Sequence, residues 1–189
     1  SGAMYRALAL FADLNGVTEK DLSKLKKILI DLHIRFIDNE DGERVLLNTD
    51  DVTEDIRTNE ISTLASKFAA NDFVRTILRE MQRRLVKNKD YIAEGRDMGT
   101  YVFPDAKYKF YLDADLKIRA KRRASQLKEM LGINMNEERV SREIKDRDKL
   151  DMTRESCPLH PADDAVIIDT SDMTINEVVL KIESVINDA

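Results

Sequence analysis

The sequence is short of cysteine and of aromatic side chains. Cys157 is its one cysteine, so neither a disulfide framework nor a cysteine-based zinc site is open to it, which suits a reducing compartment. Aromatic residues make up 6% of the chain. Proteins that grip single-stranded nucleic acid stack bases on aromatic platforms, so that class is disfavoured. Positive charge is outnumbered as well: 31 lysines and arginines face 36 aspartates and glutamates, a net charge of -5. That balance argues against a general nucleic-acid binder but leaves room for a local arginine cluster. No apolar run approaches membrane length, no signal-peptide pattern opens the chain, and no repeat or low-complexity segment interrupts it. These absences predict a cytoplasmic protein with no membrane or nucleic-acid partner.

What is present suits one soluble domain over 1–189, with 42% hydrophobic and 35% charged residues. Ser1 to Arg6 run straight into the apolar segment Ala7–Ala12. A chain that begins inside a structured element is expected to be missing its beginning. Thr18 and Asp21 form a capping-box pattern, with aspartate in place of glutamate, ahead of leucines 22, 25, 29 and 32 at helical spacing. Alternating runs on either side of Asn39-Glu40-Asp41-Gly42 predict a hairpin, and residues 51–57 a short strand or a loop. Thr58 and Asp72 are expected to cap two helices. The second carries Arg75, Arg79 and Arg83 every fourth residue, and for the last two a solvated basic face is the default.

The organising stretch is Tyr91 to Asp105. Tyr91-Ile92-Ala93 stops abruptly at Glu94-Gly95-Arg96-Asp97, which predicts a buried strand ending in a loop, the place where open α/β sheets bind ligands. Arg96 can fork onto a phosphate and Asp97 can accept from an amine; a surface turn with a local ion pair is the competing reading. Downstream, residues 108–112 read as a strand, Asp115 and Asn136 as helix caps, Gly132 as a helix stop, and Ala165–Asp169 as a buried strand. Thr174 and Glu177 form a capping box for a closing helix. Arg147, Asp151 and Arg154 sit at helical spacing, either orienting one another or forming surface pairs. Cys157 and His160 read as packing and loop residues.

Alternating strands and helices predict a parallel sheet, and the late arginines a phosphate clamp. With these elements in order, the chain resembles the bacterial cytidylate kinases, which phosphorylate CMP and dCMP. The resemblance rests on Ser1 to Arg6, Asp51-Val52-Thr53 with Ile56-Arg57-Thr58, Ala65-Ser66, Gly95 to Thr100, Val102 to Ala106, Arg122-Arg123, Ile144 to Asp148, and Pro158-Leu159 with Pro161-Ala162. It implies the P-loop nucleoside monophosphate kinase fold: an α/β domain with a central parallel sheet and a helical lid over about 119–157. The monophosphate-binding region, about 18–88, is enlarged by an insert with a small antiparallel sheet. The remainder is core, and a monomer is expected.

Carried over residue by residue, the resemblance puts Ser66, Arg75 and Asp97 at cytosine. Arg6 and Arg96 hold the CMP phosphate with Ser1 near it, and Arg147 and Asp151 meet the ribose hydroxyls. Arg154 reaches phosphate from the lid, and Arg122 and Arg123 begin the lid over ATP. Arg96, Arg147 and Arg154 are the expected catalytic arginines. The implied chemistry is transfer of the γ-phosphoryl group of ATP, carried with Mg2+, to a CMP phosphate oxygen. One departure stands out: the sequence has no G-x-x-x-x-G-K-[ST] loop, the element that cradles ATP phosphates. On the resemblance, the first strand and P-loop lie upstream of Ser1, no metal ligand falls within the chain, and the 189 residues alone are expected to be inactive. The rival readings are an inactive CMP-binding protein and, further off, an RNA-binding module.

Overall fold

Period-two alternation on either side of Gly42 produces the hairpin. β1 (Ile34–Asn39) pairs antiparallel with β2 (Gly42–Leu47), setting Ile34 opposite Leu47 and Phe36 opposite Val45. The computed structural model describes residues 1–40, 42–87, 90–132 and 134–188. Asp41, half of the predicted Asp-Gly turn, therefore lies outside the described residues, while Gly42 has the positive φ of 112° that favours glycine. β3 (Asp50–Asp51) adds a short third strand. The buried Thr53 hydroxyl accepts from Val45 N at 2.9 Å and donates to Asp51 Oδ1 at 2.6 Å, closing the sheet against the next turn.

Contacts divide the chain into two compact units, Ser1–Gly95 and Arg96–Ala189. The first contains the sheet just described and the expected monophosphate-binding region. Its core forms around α1 (Gly2–Leu14), whose Met4, Ala7, Leu8 and Ala12 are buried. α3 (Asn59–Ala69) packs against this helix. Leu25 of α2 (Leu22–Ile28), Ile56 and Phe68 complete the same cluster. Thr58 caps α3 as predicted, accepting from Ile61 N at 3.2 Å.

Two predicted helix starts need correction. Asp21, not Thr18, is the N-cap of α2, and its carboxylate accepts from Thr18 N and Oγ1 instead. The helix stops at Ile28, short of Leu32. Asn71, not Asp72, caps α4 (Asp72–Leu85), accepting from Phe73 N and Val74 N at 3.0 and 3.3 Å. An amide oxygen one residue earlier reaches the free N–H groups that Asp72, already inside the helix, cannot.

In the second unit β4 (Phe110–Asp113) and β5 (Val166–Asp169) pair in parallel. Between them run α5 (Leu116–Leu131), capped by Asp115 and stopped at Gly132 with φ +67°, and α6 (Glu137–Thr153), capped by Asn136. α5 and α6 pack together. The capping box of Thr174 and Glu177 opens α7 (Ile175–Asn187) as predicted.

Two expectations about buried strands fail. Residues 91–93 form no strand and are exposed, Ile92 entirely so. An extended run becomes a strand only by pairing its N–H and C=O groups, and among the described residues no strand pairs with this one. β5 is a strand but buries only Ile168, and α7 buries no residue, because β4 is its one described sheet neighbour.

The corrected cap predicts a ranking. Asn71 also donates to Glu19 O at 2.9 Å, so Asn71→Ala should cost about 1–2 kcal/mol in urea unfolding. Asp72→Ala removes only a charge near the helix N-terminus and should cost about 0.3–0.5 kcal/mol. The reverse order would restore Asp72 as the cap.

Candidate active site

The two units each hold part of the predicted residue set. In the first, Arg6 folds back along α1. A Cβ added at Gly2 would come within 3.1 Å of its Nη1, so the glycine leaves room for the guanidinium. Arg75 is only 5% exposed and donates from Nη1 to Ala69 O at 3.1 Å, across the turn from α3 to α4. Ser66 is exposed on α3 and donates to Ser62 O at 3.1 Å. Ser1 stands at the N-cap of α1 without a side-chain capping bond. Of the arginines at fourfold spacing, Arg83 is exposed as expected, whereas Arg79 is partly buried.

The second unit gathers Arg96, Arg147, Asp151 and Arg154 into one ionic network. Asp148 and Asp151 lie three apart near the end of α6, so their carboxylates share a face. Arg96 Nη1 sits 2.6 Å from Asp148 Oδ1 and 3.0 Å from Asp151 Oδ2. Arg154, the C-cap of α6, donates from Nη1 to Asp151 Oδ1 at 3.0 Å. Its Nε donates at 2.6 Å to the carbonyl of Cys157, which holds a positive φ of 51°. Arg147 Nε lies 3.9 Å from Asp151 Oδ2. The surface-pair reading of these charges fails for Asp151 and Arg154, whose side chains are 16% and 14% exposed.

The donors left over matter most. Arg96 commits only Nη1, so its Nε and Nη2, the edge that forks onto phosphate, have no partner among the described residues. Nη2 of Arg154 is buried without a hydrogen bond, and so is Oδ2 of Asp151, although Oδ2 stands beside Arg96. Buried polar atoms in this state call for a ligand or water. Asp97, 8% exposed, opens a π-helical turn, Met98–Val102, and its carbonyl accepts from Tyr101 N and Val102 N at 3.0 and 3.1 Å.

The remaining predicted residues are engaged elsewhere. Arg122 donates to Thr170 Oγ1 at 3.1 Å, Thr170 O at 2.6 Å and Met173 O at 3.1 Å, and Arg123 to Gln126 Oε1 at 2.7 Å. His160 lies edge-on to Tyr101 with ring centroids 6.0 Å apart. Sequence reasoning missed two participants. Asp148 accepts from Arg119 as well as from Arg96, and Arg119 Nε donates to Ala114 O at 2.9 Å. The signal was available in the i,i+3 spacing of Asp148 and Asp151. A surface depression of about 450 Å³ among Asp13, Ile61, Leu64 and their neighbours holds none of the predicted residues. Chemistry rather than concavity marks the site.

A family model described as cytidylate kinase matches residues 1–188. The chain belongs to the cytidylate kinase family. A cytidylate kinase of Clostridium botulinum strain Hall is 42% identical over 186 residues, 98% of this chain and 83% of the relative. That of Carboxydothermus hydrogenoformans is 40% identical over the same span. That of Pseudothermotoga lettingae is 42% identical over 178 residues, 94% of this chain and 77% of the relative. The α/β architecture and the parallel β4–β5 pair accord with the P-loop fold of cytidylate kinases. Nothing in these matches supports the reading as an inactive CMP-binding protein.

Charge balance in the network gives a pH dependence. Burial pushes the Asp148 carboxyl up, but hydrogen bonds from Arg119 and Arg96 more than offset it and hold the pKa below the usual aspartate value. Unfolded, the group titrates near about 3.9. The stability it contributes is therefore complete above that value and lost as pH falls through the lower folded one. In urea unfolding, the gap between wild type and Asp148→Asn should be constant above about pH 5 and shrink below about pH 4. A gap that widens in acid would contradict the pairing.

Proposed function

We propose that this protein transfers the γ-phosphoryl group of ATP to CMP or dCMP, giving CDP or dCDP. The observation that carries the reading is the set of uncommitted arginine donors around Asp148 and Asp151: the Nε–Nη2 edge of Arg96 and the buried Nη2 of Arg154. Such donors, on cations held in place by carboxylates, suit phosphate oxygens whose charge shifts during reaction.

Arg96 and Arg6 hold the CMP phosphate, with Ser1 near it. Asp151, whose Oδ2 retains accepting capacity, takes a ribose hydroxyl while Arg147 orients it. Asp97 accepts from the exocyclic amine of cytosine, and Arg75 and Ser66 serve its carbonyl and ring nitrogen. Uracil presents a carbonyl where cytosine presents that amine and so meets a second acceptor.

A phosphate oxygen of CMP attacks the γ-phosphorus in line as the bond to the β–γ bridging oxygen breaks. Arg96, Arg147 and Arg154 spread the equatorial charge, so the chain needs no titrating catalyst at the reacting atoms. Arg122 and Arg123 belong to the helical lid, about 119–157, whose closure keeps water from taking the phosphoryl group.

Magnesium enters with ATP. Among the described residues no three metal-ligating side chains cluster, and the Asp148 and Asp151 carboxylates face arginines. The 189 residues carry no G-x-x-x-x-G-K-[ST] motif, and on this reading they supply the acceptor site and the lid.

Steady-state phosphorylation of CMP, dCMP and UMP by the natural full-length protein tests the assignment. CMP and dCMP should be turned over well ahead of UMP, and failure to phosphorylate any of them would refute it. Losing one partner of a buried hydrogen bond costs about 1–3 kcal/mol, so Asp97→Ala should reduce the preference for CMP over UMP by about ten- to a hundredfold. Unchanged discrimination would remove Asp97 from the base site.

A further inference from the structure

We propose that Asp148 is a positioning residue for phosphoryl transfer: one carboxylate that fixes Arg96 and Arg119 together and leaves their remaining donors for an anionic ligand. The inference rests on the kinase reading and adds to it a pair of residues with no role there.

Each oxygen of Asp148 takes one arginine, Oδ1 the Nη1 of Arg96 at 2.6 Å and Oδ2 the Nη1 of Arg119. Both oxygens belong to one carboxylate, so their spacing sets how far apart the two guanidinium groups sit. Two neighbouring cations repel, and they stay side by side only while an anion lies between them. Arg119 is also pinned through Nε to Ala114 O, which leaves it Nη2. Asp148 itself is 14% exposed and lies within α6, so its own place is fixed by a regular helix.

Asp151, one turn further on, differs in a way that separates the two roles. Its Oδ2 faces Arg96 Nη1 at 3.0 Å without a hydrogen bond, so that oxygen keeps accepting capacity for a substrate hydroxyl. Both oxygens of Asp148 are already engaged by charged donors. Asp148 therefore acts through the arginines and not on the substrate.

The test is a cycle on the natural full-length protein, reading CMP phosphorylation and, by calorimetry, CMP binding, with melting temperature recorded for each variant. Asp148→Asn keeps the shape and loses the charge; it should lower kcat/KM by about tenfold or more. In an Arg96→Ala, Arg119→Ala background the same change should cost less than about threefold, because the groups it positions are gone. Asp148→Glu restores the charge and should recover part of the loss, which also keeps the test open if Asp148→Asn folds poorly. Equal losses in both backgrounds, or no rescue by glutamate, would show a merely structural role and overturn the proposal while leaving the kinase reading intact. A wild-type protein that neither binds nor phosphorylates CMP would overturn both.

Discussion

Four arginines held near one another must have counter-charges, and in the second unit Asp148 and Asp151 of α6 provide them. Arg96, Arg119, Arg147 and Arg154 come from a loop, from α5, from α6 and from its C-cap, and the two carboxylates offset the repulsion among them. The aspartates are largely buried, and a buried carboxylate with no cation beside it is strongly disfavoured. Each sign therefore makes the other tolerable. The arginine donors that these carboxylates leave over, the Nε–Nη2 edge of Arg96 and Nη2 of Arg154, are what an anionic substrate can take up.

That arrangement also shapes the chemistry. A catalyst built on a titrating histidine or cysteine needs a group tuned near neutral pH, whereas Cys157 meets Arg154 only through its backbone carbonyl and the His160 ring bonds Pro161 O. Phosphoryl transfer asks less of proton chemistry and more of placement, because the charge to be stabilised lies on oxygens that already carry it. Guanidinium groups remain charged at any working pH and offer donors in a fixed plane. The carboxylates orient that plane by taking Nη1 of Arg96, Arg119 and Arg154, leaving Nη2 of each without a hydrogen bond among the described residues.

Local signals in the sequence were legible where one residue decides a local outcome. Gly132 ends α5, Asn136 and Thr58 cap their helices, Thr174 and Glu177 box α7, and alternation about Gly42 sets the register of the hairpin. Expectations failed where the outcome depends on a neighbour that one stretch of sequence does not reveal. Tyr91-Ile92-Ala93 has the composition of a buried strand, but pairing is a property of two segments, and no described strand lies alongside it. The site divides the same way. Helical spacing linked Arg147, Asp151 and Arg154, whereas Arg119, in a helix dense with basic residues, gave no sign of reaching Asp148 across 29 positions.

Arg96 and Asp97 are consecutive, and their opposite environments carry a further consequence. The arginine side chain is one-third exposed and tied to α6 through Asp148 and Asp151, while the aspartate is buried and opens the π-helical turn Met98–Val102. On the proposed reading one serves the phosphate and the other the base of the same nucleotide. A single peptide then joins the element that judges the base to the element that stabilises the reacting phosphate. A wrong base that displaces the Asp97 backbone would strain the adjoining Arg96, whose Nη1 lies between two carboxylates. The cost of a mismatch at the base is thereby carried into the alignment of the phosphate, where small displacements weigh heavily on rate. Discrimination against UMP should accordingly fall on kcat as well as on binding, since misplacing the acceptor phosphate weakens contacts made in the transition state.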